Sequence, residues 1–406
     1  MRNILLFTST FPKSADDPLT PRFVYHLGRE LTQHHNVHVL APHTEGAALE
    51  ENLDGMQVIR FRYAFPDSSQ RLAYGTGMTN NLREHPTAWL QVPSFFYYQR
   101  RALLGIVERF NIDVVNSHWM VPQGLVAAWS LNSPDVKHVL TVHSAGLFLL
   151  RRIPLGKRFA RHILKHTDAL YIVSENNHRM LEDLVRRPVK ATIAPMGIHT
   201  EYYRQGGDPA ELKQKLNLPQ EGPIILFVGK LSRIKGVRFL LQAWPEVLKQ
   251  FPAATLVIVG SGPEEAALKE AAGKLEEASR IRFVGQKNQE AVRDYLKVCD
   301  AVVIPSIQDT NGQVEGFPVV MLEALASGNP VVGTRLGGIP ECIVDGENGY
   351  TVEPENPNAI AEGILKILQR GPQTFSEGAM ASVKRFDWQT ISEDYSKTFN
   401  DLFLGP

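Results

Sequence analysis

The chain has 406 residues, in which 43 lysines and arginines balance 43 aspartates and glutamates. That length suits two domains of ordinary size, and the lack of a basic excess argues against a general nucleic-acid binder. No run approaches the roughly 18 apolar residues of a membrane span, and Cys299 and Cys342 have neither a disulfide framework nor metal-ligand spacing, so both read as small core residues in a reducing compartment.

The chain opens on Met1-Arg2-Asn3-Ile4-Leu5-Leu6-Phe7. This apolar run is too short for a signal peptide and no small-residue cleavage site follows it. It reads as the first buried strand, residues 3–8, of a soluble, cytoplasmic protein. Further strands are predicted at 37–40, 58–61, 113–116, 138–142, 169–173 and 191–194. A second series follows at 224–228, 255–259, 281–284, 301–304, 330–333 and 349–352. Several are continuous Val/Ile/Leu runs with helical stretches between them, the pattern of parallel strands covered on both faces. Two doubly wound α/β domains are therefore expected, with sites at the carboxyl ends of their strands. Their boundary is expected within 195–222, which holds Gly197, Gly206-Gly207, Pro209 and Pro219 and a short helix at 209–216.

Several strand-end segments carry chemistry. The first, Thr8-Ser9-Thr10-Phe11-Pro12, lacks the G-x-G-x-x-G fingerprint, and Ala41-Pro42-His43 after the second strand offers no acid, so a dinucleotide-dependent dehydrogenase fails twice. His118 lies in the strand-end loop Asn116-Ser117-His118-Trp119, which reads from its residues as a turn packed by Trp119. His143 ends the strand Val139-Leu140-Thr141-Val142, where an imidazole can hydrogen-bond a sugar hydroxyl or a phosphate oxygen, or serve as a cap. The stretch 151–166 has six Lys/Arg and no acid, following Leu147-Phe148-Leu149-Leu150. It reads either as a solvated helix face or as a surface for anionic membrane. In Gly229-Lys230-Leu231-Ser232-Arg233-Ile234-Lys235-Gly236, three cations fall within six residues on a strand–loop–helix turn, suited to the growing charge of a diphosphate leaving group. Gly260-Ser261-Gly262 reads as a tight turn.

Two carboxylates then stand eight residues apart in Glu315-Gly316-Phe317-Pro318-Val319-Val320-Met321-Leu322-Glu323. Pro318 suits the first turn of a helix that Gly328 can close and Pro330 ends. Glu315 and the free N–H groups near Gly316 and Phe317 then share one loop at a helix N-terminus, which attracts anions. A carboxylate beside an anion site makes sense if the anion belongs to a larger ligand whose hydroxyls the carboxylate accepts.

This stretch resembles the E-x7-E signature of the retaining glycosyltransferases of family 4, and the likeness covers most of the chain, most strongly 224–349. The resemblance implies the GT-B fold: two Rossmann-like doubly wound domains facing an interdomain cleft, with a C-terminal helix returning to the first domain. Its domains would be an acceptor-side domain 1–197, a linker 198–222, a nucleotide-sugar domain 223–383 and a crossover helix 384–406. It implies that Glu315 meets the donor sugar, that Glu323 meets the ribose and that His143 contacts the sugar. Lys230 and Lys235 match the family's cation positions, with Lys230 standing where an arginine is usual, and Arg233 shares the diphosphate role. Gly316, Phe317, Pro318 and Val319 would line the donor. Gln286 and Lys287 follow a segment, Phe283-Val284-Gly285, similar to the one whose backbone pairs with the nucleobase. Arg22 stands in for the missing glycine-rich loop and, with His118, belongs to the acceptor side. Gly333-Thr334-Arg335-Leu336-Gly337-Gly338 also looks like the family, its glycines serving backbone geometry.

The function implied is transfer from a UDP- or GDP-sugar to a sugar or lipid-linked acceptor in polysaccharide or glycolipid synthesis. No cofactor or obligatory metal is implied, and a peripheral membrane contact would run through 147–166. Acceptor recognition falls to loops such as 65–89. A non-hydrolysing sugar-nucleotide epimerase and a non-catalytic sugar-nucleotide binder remain alternatives. The pairing of Glu315 and Glu323 with Lys230 and Lys235 argues against the epimerase.

Overall fold

The structure, a computed structural model, describes residues 1–15, 17, 20–75, 77–276, 278–308 and 314–404. Its contacts divide the chain into two compact units, Met1–Gly197 with Trp388–Pro406, and Ile198–Asp387. Both are doubly wound α/β units, because buried Val/Ile/Leu strands demand cover on each face and helices between parallel strands supply it.

The first unit holds an eight-stranded sheet. Its strands are β1 (Asn3–Phe7), β2 (Asn36–Pro42), β3 (Glu50–Leu53), β4 (Met56–Phe61), β5 (Val114–His118), β6 (Lys137–Val142), β7 (Ala169–Ile172) and β8 (Thr192–Ile193), in the order β3-β4-β2-β1-β5-β6-β7-β8. All neighbours are parallel except β3 and β4. Alternation along β1 sorts its side chains to two cores. Ile4 and Leu6 meet Val24, Leu27, Trp388, Tyr395 and Phe399, while Leu5 and Phe7 meet Phe95, Leu103 and Ile106. The helix Trp388–Asp401 thus returns to the first unit. Its Tyr395 stacks on Tyr171 with ring centroids 3.9 Å apart, and its hydroxyl meets Thr141 Oγ1 at 3.0 Å.

Strand β3 was not among the predicted strands. Only Leu53 of Glu50-Glu51-Asn52-Leu53 is buried, so no apolar run announces it. The hairpin is instead carried by Asp54-Gly55, both at positive φ, a turn pair suited to a two-residue connection.

The second unit holds six parallel strands: β9 (Ile224–Val228), β10 (Thr255–Val259), β11 (Ile281–Gly285), β12 (Ala301–Ile304), β13 (Val331–Thr334) and β14 (Gly349–Val352). Their order is β11-β10-β9-β12-β13-β14, so the winding reverses between β9 and β12. Ligands of such sheets bind outside the carboxyl ends at that reversal. Cys299 and Cys342 are free and buried.

Residues 198–222, expected as a linker, are instead packed into the second unit. They carry the helices Thr200–Arg204 and Pro209–Lys215, and Tyr203 and Leu212 join its core with Leu296, Met321 and Leu322. Asp387 ties this segment to the unit's far end, its Oδ2 accepting from Thr200 N–H at 3.0 Å and Oγ1 at 2.6 Å. The glycine and proline spacing that suggested a flexible connection marks helix ends: Pro209 is the first residue of its helix, and Asp208 caps it.

Candidate functional site

The reversal point of the second sheet is built by close backbone approach. After β9 the chain makes a turn of 3-10 helix, Arg233–Lys235, and Gly236 enters the next helix at φ +65. A Cβ there would collide with the Pro305 carbonyl after β12, so only glycine lets the two strand-end loops touch. Ile307 N–H donates to Ile234 O at 2.8 Å across the same seam. Lys235 Nζ consequently reaches the Glu315 carboxylate, with side-chain exposures of 22% and 18%. Gly338 N–H donates to Gly316 O at 2.9 Å, which fixes the loop from the β13 side.

Lys230 and Arg233 are exposed, and among the described residues neither pairs with a carboxylate. Among the described residues the loop after β9 thus carries one cation paired with a carboxylate and two that are not, a balance suited to a ligand with more than one negative charge. Gln286 and Lys287 are also exposed, after β11, and Ser261 Oγ donates to Gln286 Oε1 at 3.3 Å.

Pro318 occupies the capping position of the helix Val319–Ala326, not its first turn. Its ψ of 113° is extended, so the helical conformation starts one residue later. Phe317 is buried with its ring centroid 5.8 Å from that of Phe386, and Val319 is exposed at the helix start. Gly328 follows the helix at φ +84, as a closing glycine should.

Glu323, in the second turn of that helix, is half-buried. Tyr203 donates its hydroxyl to Glu323 Oε1 at 2.6 Å, and Gln289 Nε2 donates to the Tyr203 oxygen at 2.9 Å. Loss of hydration raises the Glu323 carboxyl above its ordinary value, and the Tyr203 hydrogen bond opposes that rise. Tyr203 and Gln289 were missed from sequence. Tyr203 lay in what read as a linker, and Gln289 had no motif around it.

In the first unit, His118 ends β5 and His143 follows β6. His118, expected on the acceptor side, is buried at 2% exposure, and its Nδ1 meets His143 Nε2 at 3.1 Å. His143 is 6% exposed, with the rings of Phe23 and Trp119 at 5.0 and 4.7 Å. Burial holds the His143 imidazole down at about 3 and the His118 imidazole well below its ordinary value, so both are neutral at pH 7. Among the described residues His118 Nε2 and His143 Nδ1 have no hydrogen-bond partner. Arg22 precedes the helix Phe23–Leu31. Its guanidinium donates to Ala15 O and lies 5.1 Å from the Tyr25 ring, so it braces the loop after β1.

The basic stretch forms two helices, Ser144–Arg152 and Gly156–Lys165, meeting at Leu155, which is 58% exposed. Arg161 is committed to structure, its Nη2 donating to Val185 O at 2.7 Å at the end of the helix Glu175–Val185. Among the described residues no helix is long and apolar enough to cross a membrane, and no group of three or more His, Cys, Asp or Glu is placed to hold a metal.

Comparison with known proteins fits this geometry. Residues 208–379 match the model of glycosyl transferases group 1, and residues 20–202 match that of glycosyltransferase family 4. Similar chains include an uncharacterized glycosyltransferase, MJ1178, of Methanocaldococcus jannaschii, 27% identical over 73% of this chain and 78% of that one. A D-inositol 3-phosphate glycosyltransferase of Acidothermus cellulolyticus is 29% identical over 71% of this chain and 67% of its own. Among solved structures, a sucrose-phosphate synthase from Thermosynechococcus elongatus superposes over the whole of both chains with a TM-score of 0.75 at 21% identity. Anabaena HepE in complex with UDP-glucose does so over 99% of this chain with a TM-score of 0.71 at 18% identity. The chain belongs to the family 4 type of glycosyltransferases, with the GT-B fold.

Proposed function

We propose that the protein transfers a sugar from a nucleotide-diphosphate sugar, UDP- or GDP-linked, to an acceptor hydroxyl with retention at the anomeric carbon. The observation that carries this reading is the reversal point of the second sheet. There Lys235 sits on Glu315, Lys230 and Arg233 pair with no carboxylate among the described residues, and Glu323 lies in the helix that follows Glu315. The three cations bind the diphosphate. Glu315 orients the sugar and opposes the positive charge developing at its anomeric carbon. Glu323 accepts the ribose hydroxyls, and the segment Gly316, Phe317, Pro318 and Val319 lines the donor. The loop at Gln286 and Lys287 meets the base.

The acceptor oxygen attacks the anomeric carbon on the face from which the diphosphate leaves. As the carbon–oxygen bond to phosphate breaks, the acceptor proton passes to the departing phosphate oxygen. No metal is needed, because fixed cations stabilise the leaving charge. For the acceptor we favour a groove of about 420 Å3 in the first unit, lined by Tyr63, Ser69, Arg71, Thr87, Gln91 and Ser94. Phe65 and Trp89 are exposed beside it in sequence, at 67% and 61%. The loop 65–89 that holds them contains Thr76, which lies outside the described residues. A lipid-linked acceptor would place the protein at the inner face of the membrane, where Arg151, Lys157, Arg158 and Leu155 suit anionic headgroups. Sedimentation with anionic vesicles that shows no salt-sensitive binding overturns that placement.

The test is a panel of sugar nucleotides scored by thermal shift and by slow donor hydrolysis. One donor should stabilise the protein and be consumed, and Glu315→Ala should abolish transfer while keeping the fold. Full turnover by that variant refutes the role of Glu315. Conversion of the donor to an epimer without acceptor would favour the epimerase reading.

A further inference from the structure

The hydrogen-bond chain from Gln289 through Tyr203 to Glu323 has a fixed direction. The Gln289 amide nitrogen can only donate, and it donates to the Tyr203 oxygen at 2.9 Å. The phenol hydrogen is then directed onward to Glu323 Oε1 at 2.6 Å. A protonated Glu323 could not reverse this arrangement, since a second hydrogen pointing at the phenol would leave the phenol's own hydrogen without an acceptor. The ring is 1% exposed and packs from the helix Thr200–Arg204 into the core with the helices Gln289–Val298 and Val319–Ala326, and among the described residues its hydroxyl has Gln289 and Glu323 as partners.

We infer that Tyr203, oriented by Gln289, is a positioning residue that keeps Glu323 ionised and points its remaining oxygen, Oε2, at the paired hydroxyls of a ribose. The inference rests on the reading of Glu323 as a ribose acceptor. Chemically, a buried carboxyl favours its neutral form. As an acid it keeps one good acceptor lone-pair site and turns the other oxygen into a donor, which spoils recognition of two adjacent hydroxyls. One short hydrogen bond to Oε1 opposes that drift and leaves Oε2 free. A merely structural tyrosine would fill space equally well as phenylalanine.

The experiment measures binding of a nucleoside diphosphate, and of its 2′,3′-dideoxy counterpart, to the full-length protein by calorimetry from pH 5.5 to 8. The base is the one preferred by the unmodified protein. Tyr203→Phe keeps the ring and should weaken the ribose-containing ligand about tenfold at neutral pH, the size expected for losing one hydrogen bond to a charged group. It should leave the dideoxy ligand unchanged and shift the acid limb of binding to higher pH. Gln289→Leu should move both readouts the same way by less. Equal loss for both ligands, or an unshifted acid limb, overturns the positioning role while nucleotide binding stands. Failure of the unmodified protein to bind any nucleoside diphosphate overturns the proposed donor site itself. Unchanged thermal unfolding of Tyr203→Phe is the control for its fold.

Discussion

Lys235→Ala is the sharpest perturbation of the second unit, because it leaves Glu315 without its only ion-pair partner among the described residues. Two unit charges about 4 Å apart at an effective dielectric near 20 attract by about 4 kcal/mol, and lost hydration offsets part of that. Removing one partner from a fully buried pair costs about 3–5 kcal/mol, whereas an exposed pair contributes about 0–1 kcal/mol. With both side chains about one-fifth exposed, the pair falls between these limits, at about 2 kcal/mol. For a unit of this size that lowers Tm by roughly 4–8 °C. Glu315→Ala should cost a similar amount, since it strands the lysine. The double variant should recover at least ~1 kcal/mol of the summed loss, because neither charge is then left alone. Differential scanning calorimetry of the four proteins closes the cycle, with Lys230→Ala as the exposed control. Strict additivity, or a Lys235→Ala effect no larger than that of Lys230→Ala, would refute the reasoning.

Gly236→Ala should destabilise by about 2–4 kcal/mol, because it combines a strained backbone with a clash against the Pro305 carbonyl; wild-type denaturant stability would contradict the close approach of the two loops. Acid should unfold the first unit. The folded imidazoles of His138 and His143 are depressed to about 4 and about 3, so below 6.5 the unfolded chain takes protons first. Their contribution is fully present above pH 6.5 and drains away toward those lower values, each at about 1.4 kcal/mol per pH unit. His138→Gln should flatten the slope by one proton, and a stability independent of pH between 7 and 5 rejects this account. Transfer activity should survive exhaustive chelation, and a rate lost to chelator and restored by a divalent cation would overturn the metal-free reading.

Much of the fold was legible because a buried parallel strand must be apolar along its whole length. Every predicted strand corresponds to one in the sheets, with ends shifted by a residue or two. β3 escaped because an edge strand buries one side chain and hides its signal in a turn. At the site, the loops that carry Lys235 and Glu315 and the helix that carries Glu323 were readable from strand–loop–helix punctuation. The salt bridge between two of those side chains was not, since it depends on Gly236 meeting a carbonyl 69 positions away in sequence. Tyr203 was hidden for a different reason. Its segment looks like a linker by composition, and only tertiary packing makes a five-residue helix part of a core. His118 stayed between two readings because strand ends at a reversal point hold both ligand-facing and buried side chains, and residue type alone does not separate them.

The helix Trp388–Asp401 also has a consequence for the order in which the protein is made. The sheet face formed by Ile4, Leu6, Val139 and Tyr171 is complete early in synthesis, but its cover of Trp388, Ile391, Tyr395 and Phe399 emerges only after the whole of Ile198–Asp387. At about 5–20 residues per second, that interval lasts roughly 10–40 s. During it an apolar surface waits on the ribosome while the second unit folds. Throughout it that face is covered only in part, by Val24, Leu27 and Leu31, so the nascent chain stays open to aggregation there until Trp388–Asp401 arrives.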